Sequence, residues 1–89
     1  MLSVGSQPNR EAAYIQEAYE VRVRAAEVLA AVGAEQLCRV ALFRACRWAE
    51  VSAGGYEHNL ELADLAWVRA SEWLRIWLRI AGRCKMLKQ

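Results

Sequence analysis

The sequence predicts an all-α protein, an up-down-up bundle of three helices at about residues 9–32, 34–52 and 59–82. Three observations carry this expectation. Alanine, the strongest helix former, occurs sixteen times in 89 residues, while there is one proline and no threonine. Apolar residues recur at alternating spacings of three and four. The glycines fall where such runs pause.

Residues 1–8 read as a polar leader, 9–84 as the single helical domain and 85–89 as a basic tail. Asn9 suits the N-cap of the first helix, with Glu11 in its first turn at the positive end of the dipole. Tyr14, Ala18, Val21, Ala25, Val28 and Val32 then form a seam of the kind that packs in bundles. Gly33 fits the left-handed position that stops a helix. The second helix is expected to end at Ala53, Gly54 and Gly55, and Asn59 to cap the third. The third carries its own seam of Ala63, Ala66, Ala70, Trp73, Trp77, Ile80 and Cys84.

A chain this short builds one core and has little room for an enclosed substrate pocket. Residues 1–10 lack a charged start followed by an apolar run, so no secretory signal is expected. The segment 60–81 is interrupted by Glu61, Asp64, Arg69, Glu72, Arg75 and Arg79, too many charges for a membrane span. Cys38, Cys46 and Cys84 have no CxxC spacing and read as small buried apolar residues of a reducing, cytoplasmic compartment. His58 has a single adjacent carboxylate, Glu57, where metal sites use three or four ligands. No nucleotide-binding, nucleophile-elbow or zinc-protease motif is present. No enzymatic activity, metal or cofactor is expected.

The helices carry more apolar and arginine surface than one core requires. On a wheel of about 100° per residue, the first helix shows a second apolar stripe of Ile15, Tyr19, Val23, Ala26 and Ala30. That stripe reads either as the wide arc of a helix touching two neighbours or as a contact with another chain. Among the four tryptophans, Trp48, Trp73 and Trp77 are expected in the core and Trp67 at its edge, as an interface anchor. Leu65, Val68 and Ile76 fall among Arg69, Glu72, Arg75 and Arg79. Arg44 lies in the apolar arc of the second helix, with Leu37, Val40, Trp48 and Val51, and is expected to snorkel or to pair with a carboxylate. Phe43 sits on the polar side beside Arg39 and Arg47, under a loop or in a contact surface.

The leading expectation is a small non-enzymatic helical adaptor or inhibitor that docks on a larger protein or protein complex. Its contact residues are Arg39, Phe43, Arg47, Leu65, Trp67, Val68, Arg75, Ile76 and Arg79. Ten of the twelve basic residues are arginine, as in GC-rich bacterial or phage genomes. The wider context expected is therefore a phage- or mobile-element-encoded protein aimed at a host complex. The second expectation is a nucleic-acid-binding regulator using Arg75, Arg79 and Arg83, which recur every four residues. It ranks lower because the net charge is only +2 and acids are spread through the first two helices. A homodimer sharing the wide apolar arcs is compatible with either.

Overall fold

The computed structural model describes the backbone of residues 2–88 and the side chains of residues 10–83. It is all-α, with no strand among the described residues, and it corrects the expected three-helix bundle. The chain forms two helices, α1 (Leu2–Gly55) and α2 (Leu60–Lys88). Gly33 breaks the helical run at positive φ, as expected, but it does not separate two elements. It alone leaves helical angles inside α1, at φ 90° and ψ 173°, and hydrogen-bonded helix resumes on both sides without a connecting segment. Other bounds shift as well. The first helix begins at Leu2, ahead of Asn9, and continues past residue 52 to Gly55. In α2, Gly82 interrupts nothing: Ala81 and Arg83 are good helix formers, and one interior glycine costs only about 1 kcal/mol.

The kink at Gly33 folds α1 back on itself. A straight helix of 54 residues would measure roughly 80 Å, whereas the longest dimension of the molecule is 54 Å. Side-chain pairs give the directions of the two arms. Tyr14 meets Asp64, Glu17 meets Arg69 and Arg22 meets Glu72, so the first arm runs parallel to α2. Arg44 meets Trp73, Trp48 meets Arg69 and Ser52 meets Ala63, so the second arm runs antiparallel to it.

The turn between α1 and α2 is short because its polar groups are satisfied locally. The Gly55 carbonyl accepts from the His58 and Asn59 amides at 3.1 and 2.8 Å. The Asn59 side-chain oxygen then accepts the Leu62 amide at 3.1 Å, an N-cap on α2, with Glu61 in the first turn. Ser52 Oγ donates to the Ala63 carbonyl at 2.8 Å and ties the two helix ends together.

The core is narrow and rich in alanine. Ala25, Ala41, Ala45, Ala63, Ala66 and Ala70 are buried with Val21, Leu37 and Trp73. Small residues let the backbones approach closely, but each buried methyl adds only about 1 kcal/mol of transfer energy. Trp73 is the largest fully buried side chain, and Val28, Trp48, Ile76, Trp77 and Ile80 pack around the cluster. Arg44 is accommodated by stacking, its guanidinium 5.1 Å from the centre of the Trp73 ring.

Polar contacts clamp the first arm onto α2. Arg69 grips Glu17 with two donors, Nη2 reaching Oε1 at 3.0 Å and Nε reaching Oε2, while its plane lies 4.5 Å over Trp48. The Glu17 and Arg69 side chains keep only 15% and 32% of their exposure, so this pair lies between a surface bridge and a buried one. Glu17→Ala is expected to destabilise the fold by about 1–2 kcal/mol in urea titration, above the usual surface value. Arg69→Lys should lose most of the same amount, because an ammonium cannot both fork onto the carboxylate and stack on the indole.

Candidate functional site

Between the second arm of α1 and α2, the antiparallel register opens a shallow groove of about 400 Å³. One wall is Leu42, Cys46 and Ala49; the other is Trp67, Ser71, Leu74 and Leu78; Ala45 and Ala70 form the floor. The geometry follows from the core. The alanines that bring the helices together leave nothing large to fill the outer edge, so the bulky neighbours at that edge stay in solvent. Trp67 is 59% exposed and Leu78 56%, with Leu42 and Leu74 also exposed. Phe43, beside Leu42 on the next helical row, is 66% exposed. Among the described residues, Arg75 is the one charged residue lining this groove.

The expected contact residues divide between surface and core. Trp67, Phe43, Arg39, Arg47, Arg75 and Arg79 are exposed. Arg39 lies 3.7 Å from Glu35 and Arg47 3.6 Å from Glu50, both solvent-exposed pairs within one helix. Arg75 makes a 3.8 Å contact with Glu72. Leu65 and Val68 are half-buried, and Ile76 packs against the core cluster. The groove brings Trp67 and Arg75 together and adds Leu42, Cys46, Leu74 and Leu78, which sequence reasoning passed over. The signal was present as spacing: 42, 46, 49 and 67, 71, 74, 78 each trace one helical face.

A second opening lies on the other flank of α2, against the first arm of α1. It is lined by Arg22, Arg75, Arg79 and Arg83 over apolar side chains. The stripe Ile15, Tyr19, Val23, Ala26 and Ala30 is exposed along its whole length on the first arm.

The cysteine expectation is corrected for Cys46, which is exposed in the groove, while Cys38 is half-buried; neither is in a disulfide. Cys46 faces outward because the neighbouring Ala45 takes the core position. The Cys84 side chain lies outside the described residues. His58 sits exposed in the turn between the helices. Among the described residues no group of three or more potential metal ligands converges. No described helix is long and apolar enough to cross a membrane. Comparison with protein-family models, curated proteins and solved structures finds no match to this chain.

Proposed function

We propose that this protein is a small non-enzymatic binding module, an adaptor or inhibitor that docks on a larger protein through the Leu42–Cys46–Trp67–Leu74–Leu78 groove and the adjoining Phe43. One observation carries the reading: the surface retains more large apolar side chains than the core contains. Among the described residues, nine are buried, six of them alanine, against fourteen large hydrophobic residues that are exposed. Five of the exposed side chains around one groove are apolar or thiol, Leu42, Cys46, Trp67, Leu74 and Leu78, and tryptophan is enriched in protein interfaces. Free cysteines agree with a reducing, cytoplasmic location. A phage or mobile-element origin, with a host complex as the target, accords with the small size and arginine-rich composition.

Trp67→Asp and Phe43→Asp test the reading. Both side chains are mostly in solvent, so helical circular dichroism should stay unchanged. Capture of a partner from a bacterial lysate should fall more than about tenfold for Trp67→Asp, the size of a hot-spot loss. If Trp67→Asp unfolds the chain, or captures as wild type does, the groove is not the contact surface. The alternative, nucleic-acid binding along Arg75, Arg79 and Arg83, predicts instead an interaction that nuclease removes and that weakens steeply with salt.

A further inference from the structure

The groove between the first arm of α1 and α2 differs in chemistry from the Trp67 groove. It measures about 270 Å³, and its apolar lining includes Ala25, Leu29, Ile76 and Ile80. Around that floor stand four arginines, Arg22, Arg75, Arg79 and Arg83, and one carboxylate, Glu72. Glu72 is already engaged: it accepts from Arg22 at 3.4 Å and lies 3.8 Å from Arg75, with only 12% of its side chain exposed. Arg79 and Arg83 make no ion pair with any described residue. The lining therefore holds three more positive than negative charges, from four arginines and one glutamate, over a partly open aliphatic floor. Residues 73–89 contain no Asp or Glu.

We propose that this groove binds an acidic amphipathic peptide segment, with aliphatic side chains on the floor and carboxylates on Arg79 and Arg83. Arg75 borders both grooves, but Arg79, Arg83, Leu29 and Ile80 line this one alone, so the inference does not depend on the Trp67 surface. Each half of the lining selects for part of this ligand. Guanidinium groups form forked, charge-assisted hydrogen bonds with carboxylates. Arg79 and Arg83, four residues apart on one helix, are spaced about 6 Å along its axis, which matches acids one turn apart on a helical partner. The exposed Leu29 and the half-buried Ile76 and Ile80 offer nothing to a phosphate backbone, whose contacts are ionic and polar. An amphipathic helix covers them.

The test is fluorescence anisotropy of the full chain with a labelled helical peptide bearing leucine and glutamate on one face. A control peptide carries lysine at the glutamate positions. The glutamate peptide is expected to bind and the lysine peptide not to bind. Combined Arg79→Glu and Arg83→Glu should weaken binding more than about 30-fold, since like charges then face each other. Leu29→Gln should weaken it about fivefold through lost apolar contact. Trp67→Asp should leave it within twofold, which separates this site from the surface proposed above. The inference is overturned if the glutamate peptide does not bind or if the double arginine variant binds it equally well. It is also overturned if a short single-stranded oligonucleotide displaces the peptide while Leu29→Gln has no effect, because the groove would then read charge alone.

Discussion

Trp73→Ala is expected to remove most of the stability of the fold. Trp73 is 2% exposed and is the largest fully buried side chain, set among alanines and Val21 and Leu37. Truncating a buried tryptophan costs about 3–5 kcal/mol, and small domains hold only about 5–15 kcal/mol in total. This site belongs at the upper end for two reasons. Its alanine neighbours have no side-chain length with which to collapse into the cavity. Arg44, which stacks on the indole at 5.1 Å, loses its support as well. Thermal unfolding by circular dichroism should show a drop in Tm of more than about 12 °C, with Trp73→Phe losing markedly less. Unchanged melting in Trp73→Ala would mean that the two arms of α1 do not close on α2 around this residue.

The second large effect is expected at Gly33. Its φ of 90° with ψ of 173° lies in a region that is essentially restricted to glycine. A Cβ added there meets nothing within 4 Å, so Gly33→Ala acts through the backbone alone. The folded-back form loses about 1–3 kcal/mol, while alanine favours a continuous helix over glycine by about 1 kcal/mol. Both terms push toward an opened α1 of roughly 80 Å. An opened arm exposes Val21 and Ala25, which a second opened copy can cover by exchanging arms. Light scattering of Gly33→Ala should therefore show an elongated dimer with undiminished helical content. A monomer that melts like the unaltered chain would show that residue 33 carries no conformational constraint.

Much of the core was legible as spacing. The α2 seam was visible because Ala63, Ala66, Ala70 and Trp73 recur at three and four on one face, and all four are buried. Val21 and Ala25 followed in the same way, but Val32, placed on the same seam, is 54% exposed. It lies one residue before the reversal at Gly33. The helix count was misread because glycine permits both a stop and a bend. Which of these forms depends on whether the flanking segments find a common partner, here α2, and local sequence does not encode that.

The second arm was the hardest to place. Its largest apolar side chains suggested a face of Leu37, Val40, Trp48 and Val51 with Arg44 among them, yet the residues buried there are Leu37, Ala41 and Ala45. Where backbones come close the smallest residues mark the contact, and a wheel weighted by hydrophobicity misses them. That rotation of the arm sends Leu42 and Cys46 outward into the groove. The exposure of Trp67 agrees with its place at the edge of the α2 arc, whereas Leu74 and Leu78 became visible as surface only with the arm in position.

The most direct measurement uses Cys46 as a reporter inside the groove. Cys38→Ser and Cys84→Ser leave it as the one thiol, and a cysteine-reactive photo-crosslinker is attached there. The labelled protein is irradiated in nuclease-treated bacterial lysate and its adducts are identified by mass spectrometry. The account predicts a discrete adduct with another protein, lost when Trp67→Asp is introduced into the same background while helical circular dichroism is retained. Adducts only with a second copy of the chain, or adducts unaffected by Trp67→Asp, would contradict it.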